Sequence, residues 1–429
     1  LELSLEYMRG IMEEGIIPFA KHFPGDGIDE RDHHLSYASN RQTKEEWMET
    51  FGRIYKGLAD AGLPGIMAGH IHLPNVEKEM HPDRELDEML PASLSKTLLD
   101  ELLRGELGYN GAIVTDASHM VAMAAAMPRR EMLPTAIEAG CDLFLFFNDP
   151  DEDFQWMKEG YENGLLTEER LHDALRRTLG LKAKLGLHTF EGRREEIMLE
   201  KEEALALINT EEHKAVADEV ADKAITLVKD KQKDIFPVTP ERYKRVLIVD
   251  VEGHKGGFGA MIAGDKKRAS DTMKEILEAR GHEVTVWEST EERIMQLPKE
   301  EQAAAIANVY AQKQPISNLT DNYDLILNLV DVNSGGTVQR IVWPAAKGTP
   351  DQPFYVHEVP TIVVSIQHAF ALADMPQVGT YINAYDGMPN TLEALAAKLA
   401  GESEFTGVSP VDAMVSELMD TAIWRESTY

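Results

Sequence analysis

The residues best equipped for chemistry in this 429-residue chain lie between Lys21 and His34. An apolar run, Ile16 to Ala20, leads into Lys21 and His22 and reads as a buried strand closing on them, although Pro18 has no N–H to give a ladder. Pro24, Gly25 and Gly27 then forbid continuation and force a turn. From Asp26 to His34, four carboxylates, one arginine and two histidines fall within nine residues. A surface loop has no core to serve, so such a density of titratable groups points either to acid–base chemistry or to a solvated acidic loop. Composition alone leaves both open. Asp116 is the second candidate, delivered by the apolar run Gly111–Thr115 and followed by Ala-Ser-His-Met. A carboxylate after a strand reads as a helix N-cap or as a reactive group. Lys21 and His22 also have plain readings, as a snorkelling lysine and a satisfied core histidine. Side chains at adjacent strand positions point to opposite faces, so both reach one ligand only where the strand twists or breaks. Pro24-Gly25 supplies such a break.

KHFPGxG, with an Asp-x-His beginning at Asp32, resembles the family 3 glycoside hydrolases, and within them the β-N-acetylhexosaminidase branch. The likeness runs through five ordered segments: the Lys-His strand, the loop, a strand reaching Gly69-His70, Asp116 with Met120 four residues on, and Ala139-Gly-Cys-Asp142. The resemblance implies that Asp116 is a nucleophile, that Asp32 and His34 form a general acid/base dyad on a mobile loop, and that Lys21 and His22 hold sugar hydroxyls. The family often has His where Asp26 stands, a departure that leaves the dyad untouched. The implied reaction is retaining glycoside hydrolysis, with a carboxylate on one face of the anomeric carbon and a proton donor on the other. The carboxylate forms a glycosyl-enzyme intermediate, and the donor protonates the leaving oxygen before taking a proton from water. A histidine with an ordinary pKa of about 6.5 can cycle at neutral pH, and Asp32 would orient its ring and stabilise the imidazolium. His33 lacks the Asp-x-His spacing and is expected to face solvent. His70 and His119 are expected to line the mouth without a role.

These residues need a frame that presents strand ends side by side. Residues 1 to about 185 repeat one plan of apolar strand, polar loop and amphipathic helix. Strands are expected at Ile16–Ala20, Gly65–Ala68, Gly111–Thr115 and Asp142–Phe147. Helices are expected at Leu1–Glu14, Lys44–Ala59, Ser93–Arg104, Met132–Glu138 and Glu168–Leu185. Alternating short strands and helices mean parallel βα units, with the active face at the strands' C-terminal ends. A charged tract, Glu191–Glu203, reads as a linker helix. Strands then follow at Ala224–Val228, Arg245–Val251, Glu283–Trp287, Asp324–Val330 and Thr361–Ile366, with helices at Asp271–Arg280, Glu300–Gln312 and Leu392–Ala400. That is an open, doubly wound sheet. The run Gly253–Gly259 tempts a phosphate-loop reading, but it fits neither GxGxxG nor GxxxxGK[ST].

Net charge is −31, which makes nucleic acid and anionic membrane poor partners. Cys141 is the one cysteine, set in an apolar segment and expected to be a buried structural thiol. CxxC, HExxH and local ligand clusters are all absent, so no metal is expected, and no cofactor is implied. No apolar run approaches the roughly 20 residues that cross a bilayer.

The expected fold class is α/β: the C-terminal half of a TIM-type (β/α)8 barrel over 1–187, a linker helix region over 188–222, and an αβα-sandwich domain over 223–429. A full barrel has eight strands and this region shows four. The expectation is therefore four further βα units before Leu1, or closure by a homo-oligomer or a second polypeptide. The expected activity is removal of terminal β-linked N-acetylglucosamine from a small carbohydrate substrate, in cytoplasmic amino-sugar or cell-wall recycling. The alternatives are a phosphorylase acting on the same glycosides and a non-catalytic carbohydrate-binding or scaffold protein.

Overall fold

The computed structural model of the chain describes residues 1–29, 31–189, 191, 198–252, 267–332, 340–344 and 348–413. Two compact units emerge, Leu1–Leu199 and a second formed by Glu200–Gly335 with Gln339–Tyr429. The first opens with the helix Glu2–Glu13 and then β1, Phe19–Phe23. β1 begins three residues later than the apolar run suggests and passes through Lys21 and His22 instead of stopping before them. Pro18, with no N–H, sets the later start. β2, Ala38–Ser39, pairs in parallel with β4, Ile71–His72, as a small sheet of two strands. Between them come the helical segments Lys44–Trp47, Met48–Gly52 and Arg53–Asp60, and β3, Gly65–Ala68. Thr43 and Glu46 close the first of these helices with a capping box, each side chain taking the other's backbone N–H. β5 spans Ala112–Ala117 and β6 spans Leu143–Leu145.

The main sheet of this unit has the order β1-β3-β5-β6, all parallel. Sequential parallel neighbours with helical crossovers are the winding of a barrel wall. Alternation along each strand explains the layering. Ile66, Ala68 and Ile113 belong to the core beneath the helices, while Met67, Val114 and Asp116 occupy the other strand positions. Phe23 meets Trp47 and Tyr55 edge-on at 6.1 and 5.1 Å, and the Trp47 indole donates to the Pro24 carbonyl at 2.7 Å. The turn after β1 is thus locked to the helix behind it. Asp142 is the second lock. It is buried, accepts from Arg104 at 2.9 Å, from the Ile113 N–H at 2.8 Å, and from Arg170. β5 is thereby held to β6 and to two helices.

The helix Pro150–Glu162 lies outside the sequence expectation. Its signal is Asp149-Pro150, an N-cap with proline at the first helical position, which the strand reading of Asn148-Asp149 obscured. The strand Thr380–Asn383 also lies outside the sequence expectation, whereas the helix Glu211–Ala224 falls within the expected linker helix region 188–222 and runs two residues past it. That helix packs on Pro389–Leu399, and the Lys398 amine lies 3.0 Å from Asp222.

Among the described residues the second unit has six strands: β7, Thr226–Asp230; β8, Arg245–Glu252; β9, Glu283–Val286; β10, Leu325–Asp331; β11, Thr361–Ser365; and β12, Thr380–Asn383. Their order is β7-β12-β11-β10-β8-β9, and only β7 runs antiparallel to its neighbour. Alternate residues serve different cores. Val246, Ile248, Leu325, Leu327, Ile362 and Val364 pack beneath the helices Ala269–Ala279 and Pro389–Leu399. Leu247, Val249 and Ile326 pack on the other side with Leu319 and Tyr355. A sheet buried on both faces reads as continuous apolar runs, which is why β8, β10 and β11 were plain in the sequence. The Gly253–Gly259 run lies outside the described residues. Among the described residues no helix is long and apolar enough to cross a membrane.

Candidate active site

His22 on β1 and Asp116 on β5 come from strands separated by β3, yet the His22 Nε2 lies 3.3 Å from the Asp116 Oδ2. Gly69, just past β3, makes the approach feasible. A Cβ there would sit 2.9 Å from the His22 Cβ, closer than side chains tolerate. Asp116 lies inside β5 and not beyond its end, so the N-cap reading falls away. Its Oδ1 accepts the Ala117 N–H at 2.7 Å. Its Oδ2 is buried and takes no hydrogen bond from any described residue.

The loop after β1 folds back over this pair. The His34 Nδ1 meets the Asp32 Oδ1 at 2.7 Å, and the same oxygen accepts the His34 backbone N–H at 2.9 Å. The Asp32 side chain is 11% exposed and that of His34 60%, so the carboxylate is anchored and the ring is open to solvent. Two backbone bonds tie the loop to the segment that follows Asp116: Val121 N–H to the His34 carbonyl at 3.0 Å, and Ala122 N–H to the His33 carbonyl at 3.3 Å. Asp29 braces the loop from below, accepting from Arg31 and from the Ser39 N–H at 3.0 Å. Burial opposes ionisation of Asp29, but these donors overcome it and hold its pKa below the usual carboxylate value.

His33 departs from expectation. It is 3% exposed, not solvent-facing, with ring contacts to His22 at 5.1 Å, His34 at 5.3 Å and His70 at 6.0 Å. Loop composition could not reveal this, because the backbone bonds to Val121 and Ala122 turn the ring inward. Burial pushes its pKa below the ordinary imidazole value, against the pull of Asp26. Asp26 lies between two rings, 3.3 Å from the His22 Nδ1 and 3.6 Å from the His33 Nε2. The His22 contact, chiefly, lowers the Asp26 pKa.

His70 is also buried, not a lining residue. Its Nε2–H donates to the Ala117 carbonyl at 3.0 Å, leaving Nδ1 to accept from the Ser93 hydroxyl at 2.7 Å. Burial drives its pKa down to about 4. His119 is exposed and stacks on Phe146 at 6.2 Å. Lys21 is exposed and has no ion-pair partner among the described residues. Lys21, His22 and Asp26 border a cavity of about 600 Å³, whose remaining walls include Phe19, Phe51 and Tyr55. The structure thus sets Asp116 against His22 and Asp32 against His34, with His33 in ring contact with both His22 and His34 and Lys21 next to His22 on β1.

The family model described as "Glycosyl hydrolase family 3 N terminal domain" matches residues 1–181. A β-N-acetylglucosaminidase/β-glucosidase of Cellulomonas fimi is 38% identical over 417 residues, covering 97% of this chain and 69% of that protein. A β-hexosaminidase of Chromobacterium violaceum is 34% identical over 154 residues, 35% of this chain and 39% of that protein. Among solved structures, the β-glucoside phosphorylase BglX matches with a TM-score of 0.81 and 37% identity, over 95% of this chain and 68% of its own. A family 3 β-N-acetylglucosaminidase from Paenibacillus sp. gives a TM-score of 0.68 over 96% of this chain and 70% of its own. At 24% identity, that second likeness speaks for the fold alone.

Proposed function

The chain belongs to glycoside hydrolase family 3, and on that premise we propose that it removes terminal β-linked N-acetylglucosamine by a retaining mechanism. Support comes from a buried Asp116 Oδ2 beside His22 and from an exposed His34 hydrogen-bonded to Asp32, with His33 in ring contact with both His22 and His34. Asp116 attacks the anomeric carbon, and the glycosidic C–O bond breaks as His34 gives its proton to the leaving oxygen. The resulting ester is a glycosyl-enzyme intermediate. His34, now neutral, takes a proton from water, whose oxygen attacks the anomeric carbon and releases Asp116. Asp32 keeps the ring oriented and offsets the imidazolium charge. Lys21 and His22 hold sugar hydroxyls at the rim. The proposed setting is cytoplasmic amino-sugar recycling.

Phosphate in place of water is a second reading, favoured by the likeness to the β-glucoside phosphorylase. A neutral histidine also repels a phosphate dianion less than a carboxylate base would. One assay separates the two. A chromogenic β-N-acetylglucosaminide is turned over with and without phosphate, and the sugar product is analysed. Free N-acetylglucosamine supports hydrolysis; its 1-phosphate supports phosphorolysis. Asp116→Asn is expected to retain the fold and lose several orders of magnitude in either rate, because an amide cannot form the ester. Near-wild-type turnover by that variant would remove Asp116 from the mechanism.

A further inference from the structure

Asp116 sits at a break in the ladder between β5 and β6. Val114 pairs with Leu143 and Ala117 with Leu145, so β5 takes three steps where β6 takes two and one residue is bulged out. A bulge re-aims side chains and leaves ladder groups for other partners to satisfy. The Thr115 hydroxyl serves one side, donating to the Leu145 carbonyl at 3.2 Å and accepting the Leu145 N–H at 2.9 Å. Past Asp116, the Ser118 N–H donates to the Leu145 carbonyl at 2.7 Å, and the Ser118 hydroxyl donates to the Phe146 carbonyl at 2.5 Å. Arg129 then clasps both strand ends. Its guanidinium donates to the Ser118 hydroxyl oxygen at 3.0 Å and to the Phe146 carbonyl at 3.2 Å. The same group is anchored by a bidentate pair with buried Asp153, at 2.8 and 2.5 Å.

We propose that Arg129 is a positioning residue for the nucleophile, fixing through Ser118 the backbone that aims the Asp116 carboxylate. The inference rests on the glycosidase reading of Asp116. The link is short. The Ala117 N–H donates to the Asp116 Oδ1 at 2.7 Å, so the carboxylate follows the peptide between residues 116 and 117. The next peptide is held on both sides, its carbonyl by the His70 Nε2–H at 3.0 Å and its N–H by Leu145 at 2.7 Å. Ser118 is where that peptide ends and where Arg129 takes hold. A planar fork can reach Ser118, Phe146 and Asp153 together, which a lysine's point charge cannot. Its own helix gives no reason for this arginine. Arg129 is the first residue of the helix Arg129–Ala139, where the helix dipole favours anions over cations. A local rule broken in this way is explained by what the side chain reaches.

The test compares Ser118→Ala and Arg129→Gln with wild type on chromogenic β-N-acetylglucosaminides of graded leaving-group ability. Ser118→Ala cuts the link but keeps the Arg129–Asp153 pair, so it decides the matter if Arg129→Gln fails to fold, as circular dichroism would reveal. kcat/KM is expected to fall about 10–100-fold in Arg129→Gln and about tenfold in Ser118→Ala, since a displacement of about 1 Å costs on the order of 100-fold. The fall should be equal for good and poor leaving groups, because every substrate needs an aimed nucleophile, whereas a lost proton donor spares activated ones. The double variant should be no slower than Arg129→Gln, since both changes act through one contact. Inhibition by free N-acetylglucosamine should stay at the wild-type level. A purely structural role would lower the melting temperature and leave kcat/KM of the folded enzyme unchanged, which overturns the proposal. So does slowing confined to poor leaving groups. A wild type that turns over none of these glycosides overturns the glycosidase reading, and this proposal with it.

Discussion

His70 makes the stability of the first unit pH-dependent, and its share can be worked out. Folded, it is buried with a pKa of about 4; unfolded, it titrates at the ordinary 6.5. The unfolded chain therefore binds the extra proton first as pH falls. The stabilisation is fully present above about pH 6.5, erodes below it, and is gone below about pH 4. At about 1.4 kcal/mol per unit, the whole effect is roughly 3 kcal/mol, and roughly 2 kcal/mol of it is lost by pH 5. The physical cause is specific: a charged ring in that pocket loses hydration, and its Nδ1 can no longer accept from Ser93. The perturbation is His70→Gln, whose amide can still donate to the Ala117 carbonyl but does not titrate. Urea unfolding of wild type and variant, at about pH 7.5 and about pH 5, isolates the His70 share, because every other group is common to both. The expected result is that wild type loses about 2 kcal/mol more than the variant between those conditions. Equal losses in the two proteins would refute the reasoning.

Asp142→Asn removes the buried carboxylate that the largely covered Arg104 and Arg170 share, leaving Arg104 without a carboxylate partner among the described residues and Arg170 with Asp173 alone. A cost of about 3–5 kcal/mol is expected in chemical denaturation, and a loss under about 1 kcal/mol would show that the three groups are not coupled as drawn. His34→Ala should slow substrates with poor leaving groups far more than activated phenyl glycosides, because a phenolate hardly needs a proton. Asp32→Ala should give a milder version, and equal slowing across leaving groups in both variants would take the dyad out of proton transfer. Gly25→Ala places a Cβ 2.4 Å from the Phe51 ring at a backbone φ of +134°. It should lower stability by at least about 2 kcal/mol, read as a fall in melting temperature, and an unchanged melting temperature would mean that the turn can relax.

What the sequence determined by itself is local and periodic. The apolar runs marked β3, β5, β8, β10 and β11, because a strand buried on one or both faces writes its environment into consecutive residues. Pro24, Gly25 and Gly27 marked the turn after β1, because few residues tolerate its backbone. Gly25 and Gly27 do have positive φ, at 134° and 104°. The family resemblance carried by Asp-x-His implied that Asp32 orients the His34 ring, and the two are hydrogen-bonded within one short loop.

Only the tertiary structure decided how distant segments meet. That His33 is buried depends on two backbone bonds to residues nearly ninety positions away, which no loop composition encodes. That His22 faces Asp116 depends on β3 lying between their strands and on Gly69 having no side chain. Asp142 became the lock on β5 only when arginines from two helices converged on it. Likewise, His22, His33 and Asp116 are far apart along the chain, and their clustering follows from strand order. Periodicity is a property of neighbours in sequence; convergence of polar side chains is a property of the packed sheet.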